Sequence, residues 1–378
     1  MRLLPISLLA LTLAACGGSN NNDNDVTVPN YSDADFSAAD AWLEGFVQTE
    51  AAFPGGSYVI VDRANGIVHK GAFGDQDGED LVLLASTSKV PTVMLLMALA
   101  EDDDNVEFAI DAPIANYLPW MGVWDADITT EHLMSNRSGI PGLVNLFTRP
   151  DDYQAHICQY LPFGTLQACA ETLYTTPLPA LESTPANTAF EYGGSQWQLA
   201  GAVAEVVGGS SWNQLWDAYI GAPCGLEVAT YGNNLSNAAG WDGNAESLGG
   251  LDNPNMEGGM MSNLDDYAKL LSLHLSGGLC GDNRVLSEEA VKFMRIARTD
   301  QPGYGMGWWL ETPVDGGEVT LFTDAGFYGS VAWIDTERQY AGVILFEEYS
   351  GARGSIGSGG AISQLIPLIE EAIDAVAP

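Results

Sequence analysis

The order of segments along the chain predicts an α/β fold of the α+β type, in which one antiparallel sheet is built from both ends of the chain. Strand-like runs occur near both termini, and the stretch from residue 86 to about residue 300 is rich in helical patterns. Helices are therefore expected to flank the sheet, with a helical region beside it.

Hydrophobic periodicity and turn residues define the individual elements. Pro54-Gly55-Gly56 breaks the first helical pattern before the first strand begins. The predicted elements are a helix over 36–50, a strand over 57–61 with its hairpin partner over 66–74, strands over 319–324, 330–335 and 340–347, and an amphipathic helix over about 361–376.

The composition is that of an acidic globular protein. Its 378 residues, 46% of them hydrophobic, suffice for one large or two ordinary domains with a full core. The formal net charge of -37 excludes nucleic acid and anionic lipid as natural partners, because both would be repelled. The cysteines and histidines lack metal-ligand spacing, so no metal and no cofactor are expected.

The first residues have the features of an exported lipoprotein. The apolar run over 3–15 is too short to span a bilayer, and it predicts a signal peptide over 1–15. It ends at Leu13-Ala14-Ala15-Cys16, which resembles a bacterial lipoprotein cleavage box and predicts a lipidated Cys16; a structural cysteine is the alternative. Residues 16–34 then form a flexible linker and 35–378 the folded domain, anchored by lipid in the cell envelope.

The other four cysteines are an even number in a chain bound for an oxidising compartment, which predicts two disulfides. Four cysteines allow three pairings, and the sequence alone permits all of them. The expected pairing joins Cys158 to Cys169, closing a short loop, and Cys224 to Cys280, closing a long one.

Ser86-Thr87-Ser88-Lys89 is the most informative segment for function. It places the Lys89 amine one helical turn from the Ser86 hydroxyl, and the run that follows is apolar nearly all round, as in a buried helix. A lysine in such a helix can lose its charge and take a proton from serine, which is otherwise a poor nucleophile. The alternative is an N-cap serine followed by a surface lysine.

Seven segments occur in a fixed order along the chain. They are Phe53-Pro54-Gly55-Gly56, Ser86-Thr87-Ser88-Lys89, 112–119, 128–141, Phe190-Glu191-Tyr192-Gly193-Gly194, Glu257-Gly258-Gly259-Met260-Met261-Ser262 and Tyr304-Gly305-Met306-Gly307-Trp308-Trp309. In this order they resemble the serine-hydrolase family of class C β-lactamases, DD-peptidases and related esterases. The likeness runs from about residue 35 to the C-terminus and implies the serine β-lactamase/transpeptidase-like fold.

Carried over by position, the resemblance implies that Ser86 is the nucleophile, Lys89 its proton acceptor and Tyr192 a relay to the leaving group. The alternative for Tyr192 is a core aromatic residue. The implied oxyanion hole combines the backbone N–H groups of Ser86 and Phe327. The resemblance also places Gly326 among the substrate-binding residues. The backbone donors at this strand end must approach the substrate closely, and a glycine leaves room for that approach.

The chain departs from the family pattern at two positions expected to bind substrate. Gly194 stands where the family motif ends in asparagine, with Ser195 as a partial substitute, so amide recognition is not expected to carry over. Asp324 stands where lactamases have lysine and many relatives histidine. An aspartate there repels a substrate carboxylate and favours neutral or cationic substrates. The alternative for Asp324 is a carboxylate that only caps or turns the strand end.

The stretch over 143–184 lies between the motifs and holds Cys158 and Cys169. Its Tyr-, Leu- and Pro-rich composition fits an apolar wall that overhangs the pocket. A plain surface insertion is the alternative.

Together the motifs predict a serine hydrolase that forms an acyl-enzyme on Ser86 and acts on carboxylic esters or small amides. A β-lactamase or DD-peptidase is the second hypothesis; Gly194 and Asp324 argue against it, because penicillins and cell-wall stem peptides present carboxylates. A catalytically silent binding protein of the same fold is the third, and the presence of Ser86, Lys89 and Tyr192 argues against that. A Ser-His-Asp hydrolase is disfavoured, since the sequence contains no Gly-x-Ser-x-Gly elbow.

Overall fold

The computed structural model of the chain describes residues 28–300, 302–311, 313, 316–348 and 360–377. The predicted signal peptide, Cys16 and the linker up to residue 27 lie outside these ranges. Among the residues described, none of the helices has both the length and the apolar character needed to cross a membrane.

Most α-helices of the described chain lie between residues 89 and 295, as predicted for the helix-rich middle. They are α1 (Ser37–Thr49), α2 (Lys89–Ala100), α3 (Thr130–Met134), α4 (Val144–Thr148), α5 (Pro150–Tyr153), α6 (Leu166–Thr175), α7 (Ser195–Gly208), α8 (Trp212–Trp216), α9 (Ala222–Cys224), α10 (Leu264–Leu275), α11 (Glu288–Arg295) and α12 (Ile366–Asp374). A π-helical turn, Ala361–Leu365, precedes α12, so this last helix begins where predicted.

The strands form one large antiparallel sheet and two small ones. They are β1 (Gly55–Asp62), β2 (Gly66–Gly74), β3 (Val82–Leu83), β4 (Thr230–Tyr231), β5 (Met260–Ser262), β6 (Leu279–Cys280), β7 (Asn283–Arg284), β8 (Thr299–Asp300), β9 (Gly303–Tyr304), β10 (Trp309–Glu311), β11 (Leu321–Ala325), β12 (Val331–Asp335) and β13 (Tyr340–Phe346). The large sheet has the order β2-β1-β13-β12-β11-β10-β9-β8 in the described residues.

The large sheet joins the two ends of the chain, as predicted. β1 pairs with β13 in antiparallel register, with Val59 opposite Val343. The five predicted strands match β1, β2, β11, β12 and β13 within about two residues at each end. The strands β8, β9 and β10 were not predicted, because two or three residues are too few for an alternating pattern to appear.

Helices cover both faces of this sheet. α1 and α12 pack on one face against the side chains of Tyr58, Trp333 and Ile344. α10 packs on the other face against the alternate residues of the same strands, such as Val59 and Val343, and α2 and α7 belong to the same hydrophobic core. α2 lies in the middle of this layer, and its residues from Lys89 to Leu99 are all buried, which explains why its sequence is apolar all round.

The turns between central strands define two ends of the sheet. At the Ala325 end, Ala325 of β11 pairs with Val331 of β12. At the opposite end, the Asp335 end, Asp335 pairs with Tyr340, and Tyr340 pairs with Asp62.

Both expected disulfides are present. Cys158–Cys169 joins the 3₁₀ segment Gln154–Tyr160 to α6, and Cys224–Cys280 joins α9 to β6. The first of these bonds braces the stretch over 143–184 that was expected to overhang the pocket.

Candidate active site

Ser86 lies in a short 3₁₀ turn, Ala85–Ser88, that leads directly into α2. The turn lies at the Ala325 end of the sheet, because the Thr87 hydroxyl donates to the Ser330 carbonyl at 3.2 Å. Ala85 adopts a φ of 48°, a left-handed conformation that is strained for a residue with a Cβ. The Tyr267 hydroxyl donates to the Thr87 carbonyl at 3.0 Å, so the fold holds this strained turn beside the Ser86 hydroxyl.

Lys89 begins α2, and its side chain is fully buried. Its Nζ donates to Ser86 Oγ at 3.0 Å and to the Glu257 main-chain carbonyl at 3.0 Å. The ammonium lies 4.6 Å from the ring centre of Tyr192 and 5.3 Å from that of Trp197. The structure therefore brings the predicted pair together and excludes the surface-lysine alternative.

A buried carboxylate, Glu257, completes the surroundings of Lys89. Its Oε2 lies 3.4 Å from Lys89 Nζ and accepts the Gly194 backbone N–H at 2.8 Å. Its Oε1 accepts the Tyr160 hydroxyl at 2.8 Å. Glycine at position 193 permits this approach, because a Cβ there would overlap Oε2.

Sequence reasoning included Glu257 in a motif segment but gave it no role. The indication was a charged residue within the otherwise uncharged run over 253–263. Such a run is expected to be buried, and a buried charge needs a partner. The partner of Glu257 is Lys89, whose Nζ lies 3.4 Å from Oε2.

Tyr192 lies beside the Ser86–Lys89 pair, with the Lys89 ammonium 4.6 Å from its ring centre. Its ring packs against Trp309, with ring centres 5.1 Å apart. Asn136 holds the loop that follows, because its Oδ1 accepts the N–H of the next residue, Gly193, at 2.9 Å. Burial raises the pKa of the Tyr192 phenol, and the Lys89 charge opposes this shift, so the phenol keeps its proton at neutral pH.

Lys89 also keeps its proton. Burial by itself lowers the pKa of Lys89, but the neighbouring Tyr192, Glu257 and Asp324 outweigh burial and raise this pKa above the ordinary lysine value. The expectation that an apolar helix would discharge Lys89 is therefore wrong. The neighbouring Tyr192 and Glu257 side chains account for this shift, and the group that faces Ser86 is a Lys89–Glu257 pair rather than a free amine.

Asp324 does not face the substrate. Its carboxyl group is fully buried under the start of α2, where Oδ2 accepts the Val90 N–H at 3.3 Å. Burial raises the pKa of Asp324 to about 8, although the Lys89 charge and this hydrogen bond lower it. The carboxyl group is thus mostly uncharged at neutral pH. The prediction that Asp324 repels substrate carboxylates by direct contact is wrong, and the capping alternative fits its position.

Gly194 and Ser195 are not among the residues that line the cavity next to Ser86. Gly194 has a φ of 83°, and a Cβ there would lie 2.7 Å from the Tyr153 hydroxyl, so asparagine does not fit. Ser195 is fully buried, with its Oγ 2.7 Å from His156 Nδ1 and 3.1 Å from the Tyr153 hydroxyl. The substrate contacts predicted for these two residues are wrong, because Tyr153 and His156 fill that space.

The strand end that was predicted to complete the oxyanion hole runs beside the Ala85–Ser88 turn, called the nucleophile turn below because it holds the predicted nucleophile Ser86. A Cβ at Gly326 would overlap the Leu84 carbonyl oxygen, so only glycine allows this approach. Gly326 is not among the residues that line the cavity next to Ser86, and its predicted substrate contact is replaced by this packing role. Phe327 follows it and does line the cavity. The oxyanion hole of Ser86 and Phe327 N–H groups stays a prediction.

An apolar cavity of about 310 Å³ opens beside Ser86. Its polar lining groups include Ser236, Glu257 and the Tyr160 hydroxyl at its inner end. Most of the wall is apolar and includes Leu143, Leu146, Phe147, Ile157, Leu161, Leu235 and Phe327. The Phe147 and Phe327 rings lie parallel, with centres 6.2 Å apart. The apolar wall expected from the stretch over 143–184 is confirmed.

Comparison with known proteins agrees with this architecture. A penicillin-binding protein 4 of Amycolatopsis lactamdurans is 25% identical over 309 residues, which cover 71% of this chain and 74% of that protein. A candidate β-lactamase of Bacteroides dorei superposes with a TM-score of 0.71 at 22% identity, covering 90% of this chain and 99% of the other. EstCE1, a hydrolase with promiscuous acyltransferase activity, superposes with a TM-score of 0.69 at 18% identity, covering 89% and 98%.

The structural likenesses establish the fold, a sheet assembled from both chain ends with a helical region beside it. The family assignment rests on the sequence itself. Residues 39–356 match the family model described as Beta-lactamase, a range that contains Ser86, Lys89, Tyr192 and Glu257. This chain belongs to the beta-lactamase family.

Proposed function

We propose that the protein is a serine hydrolase that forms an acyl-enzyme on Ser86 and acts on carboxylic esters with an apolar acyl group. The observation that carries this proposal is the 3.0 Å contact between Lys89 Nζ and Ser86 Oγ at the edge of an apolar cavity. A serine activated in this way, next to a cavity for an acyl chain, is the arrangement that acyl transfer needs.

The cavity favours a particular acyl group. Its volume of about 310 Å³ suits a short to medium hydrocarbon chain, and burying each methylene contributes about 0.8 kcal/mol, or roughly fourfold in affinity. Glu257 at the inner end disfavours a carboxylate on the acyl group. The preference for neutral or cationic substrates expected from Asp324 is thus assigned to Glu257 instead.

Proton transfer runs through the buried pair. As Ser86 Oγ attacks the acyl carbon, Lys89 gives one ammonium proton to Glu257 and takes the Ser86 proton in its place. Tyr192 then protonates the leaving alcohol oxygen as the ester C–O bond breaks. Tyr192 recovers its proton from Lys89, and Lys89 recovers one from Glu257, so all groups return to their starting states.

Hydrolysis of the acyl-enzyme uses the same groups in reverse order. A water attacks the acyl carbon and gives its proton to Tyr192, whose own proton passes through Lys89 to Glu257. The bond between Ser86 and the acyl carbon then breaks, Ser86 takes a proton from Lys89, and Glu257 restores Lys89. The backbone N–H groups of Ser86 and Phe327 would stabilise the oxyanion in both steps.

A second candidate, hydrolysis of β-lactams or D-alanyl peptides, is favoured by one observation, the similarity to a protein named penicillin-binding protein 4. Against it stands the described lining of the cavity, which includes the Glu257 carboxylate and no lysine or arginine to meet a substrate carboxylate. Amides of neutral acyl groups remain compatible with the proposed site.

The test is a panel of p-nitrophenyl esters from acetate to octanoate, with nitrocefin and a D-alanyl amide, assayed with wild type and Ser86→Ala. Ser236→Ala is the matched control, because Ser236 also lines the cavity. We expect kcat/KM to rise about 16-fold from butyrate to hexanoate, in wild type and control alike. Faster turnover of nitrocefin or the D-alanyl amide than of the esters would favour the second candidate. If no substrate were turned over in a Ser86-dependent way, the protein would be a silent binding protein.

We also propose that the mature protein begins at a lipidated Cys16, as the Leu13-Ala14-Ala15-Cys16 box suggests. The lipid would anchor it in the cell envelope, at the outer membrane of a Gram-negative host. Membrane partitioning in detergent, compared between wild type and Cys16→Ser, tests this. Unchanged processing and partitioning of the variant would show that the box is a coincidence.

A further inference from the structure

We propose that a cationic pocket at the Asp335 end of the sheet binds a phosphate group, carried by a small molecule or by a lipid headgroup. This pocket lies away from Ser86, and the proposal is independent of the proposed hydrolase activity.

The pocket occupies about 340 Å³ between the end of α10, α11 and the turn between β12 and β13. The Arg63 side chain closes it from the turn between β1 and β2. Both of these turns lie at the Asp335 end, because Asp335, Tyr340 and Asp62 pair side by side. Ser86 lies at the other end of the same strands.

The pocket has the opposite charge to the protein as a whole. Arg63, Arg284, Lys292 and Arg295 line it, against a single lining carboxylate, Glu288. The entire chain has 13 lysines and arginines against 50 aspartates and glutamates. Four cations at one pocket of so acidic a chain create a local positive potential that attracts an anion.

Glu288 does not neutralise the pocket. It pairs with Lys292 at 2.5 Å along α11, and both side chains are largely exposed. Arg284 donates to main-chain carbonyls, including that of Leu286 at 3.1 Å, so its charge stays uncompensated. The side chains of Arg63 and Arg295 form no hydrogen bond and no close ion pair within the described ranges, and Arg63 is coupled to Glu288 only at longer range. The Arg295 guanidinium therefore has no anionic partner among these residues.

Two buried groups at the pocket lack polar partners. His274 is only 3% exposed, and neither ring nitrogen has a hydrogen-bond partner within the part of the chain that is described. Burial, aided by the Arg295 charge, lowers the pKa of His274 to about 3, so the ring is neutral and has one N–H to donate. Gln339 Oε1 is also unpaired among these residues, but this oxygen is an acceptor and does not itself favour an anion. A buried donor such as the His274 N–H destabilises the fold when it has no partner, and a hydrogen bond to a phosphate oxygen would remove that cost.

Arg295 is the group best placed to meet such an anion. Burial lowers the pKa of Arg295 to about 10, which shows the cost of holding its charge in the fold, and its guanidinium lies 5.6 Å from the Phe322 ring centre. A guanidinium offers a planar fork of donors that matches phosphate oxygens. Several cations around one cavity favour a divalent phosphate over a monovalent carboxylate.

Two sources of phosphate share this chemistry, a lipid headgroup and a soluble phosphomonoester. The first described residues lie at the same end of the sheet, because Asn65 Nδ2 donates to Asn30 Oδ1 at 3.0 Å, two residues from Arg63. The pocket and the segment leading toward Cys16 thus share one end of the domain. A headgroup phosphate and a soluble phosphomonoester are both within reach, despite the repulsion expected from the net charge.

The test measures binding of inorganic phosphate and of glycerol phosphate to the full chain by calorimetry and ³¹P NMR at constant ionic strength. Variants are Arg63→Gln alone and Arg63→Gln with Lys292→Gln; both side chains are exposed, so the fold should persist. Arg149→Gln is the control for the single variant, and Arg149→Gln with Lys70→Gln is the control for the double variant, because each removes the same number of positive charges elsewhere. We expect the double variant to bind phosphate at least about tenfold more weakly, and the control to bind as wild type does.

A second arm compares vesicles of phosphatidylglycerol with vesicles of phosphatidylcholine. Vesicle binding that inorganic phosphate displaces and the double variant lacks would identify a headgroup as the source. Phosphate binding without vesicle binding would identify a soluble ligand. Binding of neither probe to wild type, or equal phosphate affinity in wild type and double variant, would overturn the proposal whatever the esterase assays show.

Discussion

The two sides of Ser86 differ in what they contain. On the cavity side, Leu146, Phe147 and Phe327 form an apolar wall that is open to solvent. On the interior side, Lys89 and Glu257 form a buried ion pair. Under the proposed function, we expect the interior side to decide the chemistry and the cavity side to decide which acyl group is accepted, so variants on the two sides should separate kcat from KM.

Removing the nucleophile tests the centre of this comparison and has the largest expected effect. Ser86→Ala should lower turnover by at least about 100-fold, because no group replaces the attacking oxygen. Lys89→Ala and Tyr192→Phe should lose activity by a similar factor. A serine-directed phosphonate followed by intact-mass analysis should find one adduct, on Ser86, and labelling of Ser236 instead would sink the assignment.

Glu257→Gln tests the interior side. The amide oxygen can still accept the Gly194 N–H, and the amide NH2 can donate to the Tyr160 oxygen, but the amide cannot hold the transferred proton, so kcat should fall roughly 10- to 100-fold with little change in KM. Glu257→Asp keeps the charge and should lose less. Stopped-flow assays and pH profiles provide the measurement, with Glu191→Gln as the control. Wild-type kcat in the Gln variant would mean that Glu257 only packs against Tyr160.

Phe147→Ala tests the cavity side. It removes one wall of the acyl cavity, so KM for the octanoate ester should rise about tenfold while kcat for acetate stays unchanged. Phe163→Ala serves as the control, because that ring is exposed and does not line the cavity. Equal effects on the acetate and octanoate esters would show that the acyl chain of the substrate does not bind beside Phe147.

Asp324→Asn should have the smallest effect on activity, within about threefold, since the carboxyl group is buried and mostly uncharged at neutral pH. Its effect on stability depends on pH. The folded pKa of about 8 is above the unfolded value of 3.8, so the stability that Asp324 contributes is complete below pH 3.8 and is lost as pH rises toward 8.

Between those limits, the free energy of unfolding of wild type should fall relative to the Asn variant by about 1.4 kcal/mol per pH unit. Urea unfolding of both proteins from pH 4 to 9 measures this difference. A constant difference across that range would show that Asp324 is ionised in the folded state. The Asp324 and Glu257 charges would then both act on Lys89.

The comparison also shows what the sequence could predict. The five main strands, the buried α2 and the Ser86–Lys89 contact follow from local patterns, because periodicity and helical spacing are local properties. The role of Glu257 was missed because its contact with Lys89 joins residues 168 positions apart. Asp324 was misplaced for a related reason: a strand position predicts a face of the sheet, but not whether α2 covers that face.

The pairing of β1 with β13 has a consequence for how the protein is made. During synthesis, β1 emerges early, but its partner emerges only after about residue 346, so the centre of the sheet cannot form until nearly the whole chain is available. Until then, β1 has only its hairpin with β2, an arrangement that is marginally stable by itself. The nucleophile turn leans on β11 and β12 and so acquires its strained shape among the last parts of the molecule. A chain shortened before β13 would therefore lack the strand that joins β1 to β12 at the centre of the sheet.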